Sequence, residues 1–148
     1  MKKIMFVCHG NICRSPMAEF VMKDMVKKLG REKEFIIDSS ATSREEIGNG
    51  IYPPTKRKLI EKGIPFTEHY ARQITKDEYD EWDMFICMDG ANVRNLMRIF
   101  GEDRKNKISK LLIYANRNGD VADPWYTGNF EITYLDVVDG CKGLLDIL

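Results

Sequence analysis

Continuous apolar runs recur along the chain and are separated by segments in which apolar residues follow helical spacing. The runs at 4–7, 35–37 and 84–88 predict strands that are buried on both faces, because a half-exposed strand would alternate apolar and polar residues. A fourth strand is predicted within 108–114, centred on 111–113. The apolar pattern therefore indicates a sheet with no solvent-exposed face.

Helices are predicted between these strands. The longest starts at Ser15, which suits an N-cap, has Pro16 in its first turn, and ends at Gly30. Further helices are predicted over 55–62, from the capping-box sequence at 75–78, over 92–100 and over 132–145. The segments 44–54 and 116–129 contain glycine and proline and are predicted to be loops.

Alternation of strands and helices predicts a three-layer α/β fold with four parallel strands flanked by helices, and the length fits one domain over residues 1–148. In such sheets ligands bind beyond the carboxyl ends of the strands. The residues at that edge are 8–15, 38–43, Asp89 and the loop that contains Asp123. These segments are where functional residues are expected.

Charge and cysteine usage exclude several functions. Lys plus Arg and Asp plus Glu number 23 each, so no overall field favours nucleic acid or an anionic membrane. The apolar run at the start is too short for a signal peptide, and no stretch is long enough to span a membrane. The four cysteines lack metal-site spacing. We expect a cytoplasmic monomer with no metal, cofactor, nucleic-acid or membrane partner.

The strand–loop–helix segment at 4–17 contains the clearest chemistry. A thiol attacks phosphorus as a thiolate, which a helix N-terminus and a nearby cation stabilise. Cys8 is followed by six residues, His9 to Arg14, whose amide groups could converge on one anion, and Gly10 would permit the tight backbone. The Arg14 fork could bind two phosphoryl oxygens, and Ser15 could donate to the sulfur. The segment 9–15 therefore predicts the phosphate-binding loop of a cysteine-dependent phosphatase.

Two aspartates are candidates for the acid that such a reaction needs. Phenolate is a poor leaving group, so a carboxylic acid should protonate the bridging oxygen. Asp123 follows the predicted fourth strand and is the first choice, whereas Asp89 on the same edge is its rival. Trp125 and Tyr126, beside Asp123, are expected to form a wall against which a substrate ring stacks.

Five short motifs support a family resemblance: VCHGNICRSP, DSSATS, the segment His69-x-Ala71-Arg72-Gln73, ICMD at Cys87 and DPWY at Asp123. Together they resemble the low-molecular-weight protein tyrosine phosphatases over nearly the whole chain. The resemblance implies one domain with a four-stranded parallel sheet, no metal or cofactor, and hydrolysis of phosphotyrosine proteins through a cysteinyl-phosphate intermediate, with inorganic phosphate as product.

The resemblance also implies roles for individual residues. Cys8 matches the nucleophile, Arg14 the phosphate-binding arginine, Ser15 the hydroxyl partner of the thiolate and Asp123 the general acid. The supporting positions are Asn11, Ser39 and His69, which hold the loop, and Asp89, which pairs with the histidine. The phosphate-binding residues are His9, Gly10, Asn11, Ile12, Cys13, Arg14 and Ser15.

Two positions at the rim depart from the family pattern. Trp125 stands where tyrosine is usual, so phosphorylation of that residue is lost, although the ring wall remains. Glu45 stands where many relatives have an aromatic residue, and Glu46 beside it makes the mouth more acidic. We expect basic phosphopeptides to bind better than acidic ones.

Other functions share such a loop. An arsenate reductase needs a resolving cysteine pair, whereas Cys87 stands alone in a predicted strand. Protein-arginine phosphatases resemble C-x-G-N-T-C-R-S, and this chain has Ile12 in place of that threonine. A catalytically silent phosphotyrosine-binding module is the third alternative, although the nucleophile, arginine and acid are all present.

Cys13 is either a small buried residue or a thiol that protects oxidised Cys8 through a disulfide.

Overall fold

The computed structural model describes residues 1–148 and contains one sheet of four parallel strands in the order β2-β1-β3-β4. The strands are β1 Lys2–Cys8, β2 Phe35–Ala41, β3 Met84–Cys87 and β4 Ile108–Lys110. The α-helices are α1 Arg14–Lys28, α2 Pro53–Glu61, α3 Gly90–Phe100, α4 Pro124–Thr127 and α5 Phe130–Asp146. Short 3-10 helices occupy Glu32–Glu34, Lys76–Asp80 and Leu111–Ala115. The predicted four-stranded parallel sheet with flanking helices is confirmed.

Helices cover both faces of the sheet. The side chains of Ile4 and Phe6 in β1 belong to a core cluster of 23 buried residues shared with α1, α2 and α5. Met5 and Val7, on the opposite face, belong to a second cluster of nine buried residues shared with α3 and Lys76–Asp80. All four side chains are fully buried, so the absence of polar alternation in β1 follows from burial on both faces.

The predicted fourth strand lies in the wrong place. β4 ends at Lys110, and residues 111–113 belong to the 3-10 helix Leu111–Ala115. Leu111 and Leu112 are buried against α5, whereas Ile113 is half exposed. A short apolar run fits a strand or a buried helical turn equally well, and only the packing against α5 distinguishes them.

Other element boundaries differ by a few residues. The capping box at Thr75 forms with Glu78, but the helix it starts is a 3-10 helix. α3 begins at Gly90 because Asp89 accepts a hydrogen bond from the amide of Asn92 as its N-cap. The loop predicted at 116–129 contains the short helix α4. None of the helices in the fold is long and apolar enough to cross a lipid bilayer.

The carboxyl ends of the strands bring the expected segments together. The loop after β1 contacts the loop after β2, since Thr42 N donates to Cys8 O at 3.0 Å. The segment before α4 contacts the end of β3, since Val121 N donates to Met88 O at 2.9 Å. The parallel sheet thus gathers the thiol, both candidate aspartates and the rim at one edge.

Candidate active site

The loop between β1 and α1 is held from outside through its carbonyl groups. His9 O accepts from Ser43 N and Oγ at 3.1 and 2.9 Å, and Ile12 O accepts from Tyr52 N at 2.9 Å. In contrast, the amide groups of Gly10, Ile12 and Cys13 donate to no protein acceptor. Since the carbonyl groups are occupied and these amides are free, the loop presents hydrogen-bond donors to an anion.

Asn11 rather than Gly10 has the unusual backbone conformation in this loop. Its φ is 62°, in the left-handed region that asparagine tolerates better than most residues. Gly10 has no positive φ, but a Cβ built on it would lie 3.2 Å from Glu46 Cγ. The expectation that Gly10 supplies the tight turn is therefore corrected: it gives room for the neighbouring rim segment.

Cys8 lies at the base of the loop and is 3% exposed. Its sulfur is 3.0 Å from Ser15 Oγ and accepts from Asn11 N at 3.2 Å. The sequence predicted that Ser15 caps α1, but this prediction is wrong. α1 already begins at Arg14, and Ser15 is its second residue. Both the N-terminus of α1 and the Ser15 hydroxyl therefore face the Cys8 sulfur.

A buried chain of hydrogen bonds fixes the direction in which the Ser15 hydroxyl donates. The Glu19 carboxylate can only accept, so Ser39 Oγ donates to Glu19 Oε1 at 2.6 Å. Ser39 Oγ then accepts from Asn11 Nδ2 at 3.0 Å, and the same amide donates to Ser15 Oγ at 2.8 Å. The Ser15 proton is left to donate to Cys8 Sγ. Glu19 was not predicted, because its position on α1 gives no sign of burial.

The other end of the Asn11 side chain is also fixed. Asn11 Oδ1 lies 3.0 Å from His69 Nε2 and accepts from Arg72 N at 3.3 Å. The acceptor role of Oδ1 requires the His69 proton on Nε2. His69 Nδ1 lies 3.7 Å from Glu19 Oε1. Asn11, Ser39 and His69 therefore surround the loop as expected, and Arg72 joins them through its backbone.

The predicted pair between Asp89 and His69 is wrong. Asp89 Oδ2 instead accepts from Arg14 Nη1 at 2.9 Å, and its other oxygen caps α3. The two residues lie on different sides of the loop, since β1 separates β2 from β3. Sequence could place Asp89 at the right edge but could not decide which neighbour it meets.

Arg14 is 4% exposed and connects three segments of the site. Besides Asp89, its guanidinium donates to Val121 O at 3.0 Å and lies 3.5 Å from Asp123 Oδ2. Burial alone would lower the pKa of Arg14, but Cys8, Asp89 and Asp123 together raise it above its ordinary value. A permanently charged, planar donor is therefore fixed beside the sulfur.

Asp123 lines the pocket. Its Oδ1 accepts from Trp125 N at 3.0 Å as the N-cap of α4, and its side chain is 29% exposed. The rival Asp89 does not line the pocket. The geometry favours Asp123 as the group that can reach a bound ligand.

The pocket above Cys8 has a volume of about 260 Å³. Trp125 and Tyr126 form one side of its mouth and are 57% and 85% exposed. The Trp125 ring packs on Tyr52 with centroids 5.1 Å apart, and Tyr52 stacks on Phe130 at 6.2 Å. Tyr52 also holds Ile12 O, so it couples the aromatic wall to the loop. Nothing in its sequence neighbourhood indicated this role.

Acidic side chains form the other side of the mouth. Glu45 and Glu46 both line the pocket, as the sequence predicted. Glu45 Oε2 lies 2.9 Å from His9 Nε2, and Glu46 Oε2 accepts from Asn49 Nδ2 at 2.6 Å. The rim therefore has an acidic face and an aromatic face.

All four cysteines are free thiols, and three of them are disfavoured as anions. Burial raises the pKa of the Cys13 thiol to about 12, although this residue lines the pocket. Burial likewise raises the pKa of Cys87 and Cys141, which lie in β3 and α5. No three His, Cys, Asp or Glu side chains gather as a metal site would require.

A thiol at a helix N-terminus, free loop amides, a buried arginine and an opposing carboxylate define the class of cysteine-dependent phosphatases. The model of the family described as low molecular weight phosphotyrosine protein phosphatase matches residues 3–148. The chain belongs to this family, so the resemblance noted in the sequence is confirmed.

Individual relatives resemble the chain over almost its full length. The low molecular weight protein-tyrosine-phosphatase YfkJ of Bacillus subtilis is 39% identical over 98% of this chain and 94% of its own. Its crystal structure gives a TM-score of 0.95 over 99% of this chain and 94% of its own. SP-PTP, a low molecular weight protein tyrosine phosphatase from Streptococcus pyogenes, is 42% identical with a TM-score of 0.91 over 100% and 93%. The structure of a drosophila arginine phosphatase is 26% identical with a TM-score of 0.88 over 99% and 97%.

Proposed function

We propose that this protein is a phosphotyrosine protein phosphatase that hydrolyses aryl phosphate monoesters through a cysteinyl-phosphate intermediate, within one domain spanning residues 1–148. The observation that supports it best is the convergence of Cys8, Arg14 and Asp123 on one pocket lined by free loop amides. Family membership supports the same reaction type.

In the first step the Cys8 sulfur, as a thiolate, attacks phosphorus. The S–P bond forms while the bond from phosphorus to the aryl oxygen breaks, and Asp123 gives its proton to that oxygen. Arg14 and the free amides of the loop at 9–15 hold the non-bridging oxygens, whose charge they match. A phenol leaves, and Asp123 remains as a carboxylate.

In the second step Asp123 accepts a proton from water as the water oxygen attacks phosphorus. The S–P bond breaks, its electron pair returns to sulfur, and inorganic phosphate is released. The Ser15 hydroxyl and Asn11 N, at 3.0 and 3.2 Å from the sulfur, stabilise the departing thiolate. Asp123 is protonated again and ready for another ester.

The pocket supports an aromatic ester as substrate. Trp125 and Tyr126 offer ring faces beside the anion site, which suits the ring of phosphotyrosine. Relatives at 39% and 42% identity are named tyrosine phosphatases. We further propose a monomer that acts in the cytoplasm. The equal number, 23, of basic and acidic residues supports the absence of nucleic-acid and membrane partners.

Other activities of this fold have less support. The arginine phosphatase structure is only 26% identical, and Ile12 lines the pocket where that subgroup has threonine. An arsenate reductase would need accessible resolving cysteines, but Cys87 and Cys141 are fully buried. A silent binding module would leave the arrangement of Asp123 opposite Cys8 without a use.

The test compares matched phosphotyrosine, phosphoserine and phosphoarginine peptides, with Cys8→Ser as the control. We expect release of phosphate from phosphotyrosine only, and none from Cys8→Ser, which should still bind inorganic phosphate. Preferred turnover of phosphoarginine would replace the proposed substrate. Turnover by Cys8→Ser equal to that of the unmodified protein would overturn the mechanism.

A further inference from the structure

The two residues before Asp123 have every peptide group hydrogen-bonded. Val121 N donates to Met88 O at 2.9 Å, and Val121 O accepts from Arg14 Nη1 at 3.0 Å. This first anchor joins the segment to the end of β3 and to the phosphate-binding arginine. The Val121 carbonyl and the Ala122 N–H belong to one planar peptide, so Arg14 already holds one side of it. The orientation of the next peptide, which joins Ala122 to Asp123, is set by other contacts.

Two side chains of α5 hold the N–H and the C=O of Ala122, which belong to the peptides before and after this residue. Ala122 N donates to Asp136 Oδ2 at 3.2 Å, and Ala122 O accepts from Thr133 Oγ1 at 2.7 Å. Thr133 and Asp136 lie three residues apart and therefore share one face of the helix. They are 0% and 6% exposed, so little water competes for these bonds.

Arg117 fixes the Asp136 carboxylate in turn. Arg117 Nη2 lies 2.8 Å from Asp136 Oδ1, which leaves Oδ2 directed at Ala122. The other nitrogen of Arg117 reaches Asp139 Oδ2 at 3.4 Å. Asp139 is exposed and makes no hydrogen bond with residues 121–123, so it lacks the contact that Asp136 makes with Ala122.

We propose that Thr133 and Asp136 are positioning residues that set the place of the Asp123 carboxylate over the pocket. The inference rests on the proposed role of Asp123 as general acid. Neither residue lines the pocket, so the proposed role is exerted through Asp123. Asp123 lies between the Ala122–Asp123 peptide, whose carbonyl Thr133 holds, and Pro124, whose ring restricts φ. Rotation of that peptide would redirect the Asp123 carboxylate.

The dependence of kcat/KM on the leaving group tests this role. For a series from phenyl phosphate to 2,4-dinitrophenyl phosphate, kcat/KM reports the steps up to departure of the phenol. Thr133→Val removes the hydroxyl at nearly constant volume. We expect kcat/KM for phenyl phosphate to fall about tenfold, a part of what general acid catalysis contributes, and for 2,4-dinitrophenyl phosphate to stay within about twofold, because that group leaves unprotonated.

Matched variants separate positioning from a general loss of structure. Thr133→Ser should show the same leaving-group dependence as the unmodified protein. Asp136→Ala should steepen this dependence as Thr133→Val does. Asp139→Ala should leave it unchanged. In an Asp123→Asn background, Thr133→Val should add no further steepening. An equal loss for all leaving groups in Thr133→Val and Asp136→Ala, or an additive effect in that background, would overturn the inference.

The same series distinguishes the two proposals. If Asp123→Asn steepens the dependence but Thr133→Val and Asp136→Ala do not, the positioning role is wrong and the general acid stands. If Asp123→Asn leaves the dependence unchanged, Asp123 is not the acid and the positioning role is overturned with it.

Discussion

Ser39 donates its only hydroxyl proton to Glu19, at 2.6 Å, and this contact sets the direction of every hydrogen bond between Glu19 and Cys8. The Glu19 carboxylate can only accept hydrogen bonds. Each hydroxyl between Glu19 and Cys8 therefore has one fixed direction in which it donates. The Ser15 proton consequently points at the sulfur even when no ligand is bound.

Ser39→Ala should therefore impair catalysis without touching the pocket. It removes one acceptor from the Asn11 amide, and we expect kcat for an aryl phosphate to fall about tenfold, the rate equivalent of one hydrogen bond of about 1.4 kcal/mol. Ser40→Ala is the matched control, since the adjacent Ser40 hydroxyl is buried with no hydrogen-bond partner. Equal kcat values for the two variants would show that the hydrogen bonds between Glu19 and Cys8 do not affect the reactivity of Cys8.

Asp89 has two separable contacts, one with Arg14 and one at the N-terminus of α3. Asp89→Asn keeps a good N-cap but removes the ion pair, so we expect kcat/KM to fall about tenfold as Arg14 loses orientation. Asp89→Ala should also lower the free energy of unfolding by about 1 kcal/mol relative to Asn, the usual contribution of a cap. Urea denaturation measures this difference, and identical midpoints for Asn and Ala would exclude a capping contribution.

The buried thiols predict a loss of stability at alkaline pH. The pKa of Cys13 rises from 9.0 in the unfolded chain to about 12 in the fold, so the folded state binds more protons between these values. The stability it contributes is complete below pH 9.0 and is lost as pH rises toward 12. Cys87 and Cys141 act in the same direction.

Urea titrations at increasing pH check this dependence. Cys141→Ala should lower stability at neutral pH, because it leaves a small cavity, yet decline less steeply above pH 9. A parallel decline in both proteins would mean that the Cys141 thiol does not contribute to the alkaline transition.

Close packing of α5 against Leu111–Ala115 predicts a strong steric effect at Gly143. A Cβ built there would overlap the carbonyl group of Tyr114, which is backbone and cannot move aside. We expect Gly143→Ala to lower the free energy of unfolding by about 1–3 kcal/mol, as overpacking of a core usually does. Gly119→Ala, where a Cβ would meet nothing within 4 Å, should be near neutral. Equal midpoints of unfolding would contradict the contact.

The acidic side of the mouth predicts a preference among phosphopeptides. Glu45 and Glu46 lie at the pocket, so peptides with basic flanks should show higher kcat/KM than peptides with acidic flanks. The Glu45→Gln/Glu46→Gln double variant should reduce this preference, and added salt should do the same. Glu102→Gln, at an exposed carboxylate beyond α3, should change nothing. Higher kcat/KM with acidic flanks would refute the prediction.

The sequence predicted which residues line the pocket where these are contiguous or lie beyond the strand ends. Cys8 to Ser15 form one uninterrupted segment, and Asp123 lies beyond β4 and the 3-10 helix Leu111–Ala115, at the edge where parallel sheets bind ligands. These features depend on order along the chain, which the sequence contains directly. The same is true of the rim, because Trp125 and Tyr126 come soon after Asp123, and Glu45 and Glu46 come soon after β2.

What sequence reasoning missed depends on contacts across the fold. Glu19 looks like an ordinary charged helix residue, and its 3% exposure arises from tertiary contacts, among them the hydrogen bond from Ser39 of β2. Asp89 was assigned to His69, although β3 directs it to Arg14. Thr133 gives no sequence signal at all, because its partner is a backbone carbonyl 11 residues earlier. Pairings of this kind become visible only when the packing of helices on the sheet is known.

The packing of Trp125 on Tyr52 gives the site an optical reporter of its own. The chain has two tryptophans, of which Trp82 is 8% exposed in the core beneath the opposite face of the sheet. Trp125, at 57% exposed, sits at the mouth and is adjacent in sequence to the residues that face a ligand. We therefore expect changes in indole fluorescence on occupancy to originate at the mouth, with Trp82 as a constant background, so that binding can be followed without any attached dye.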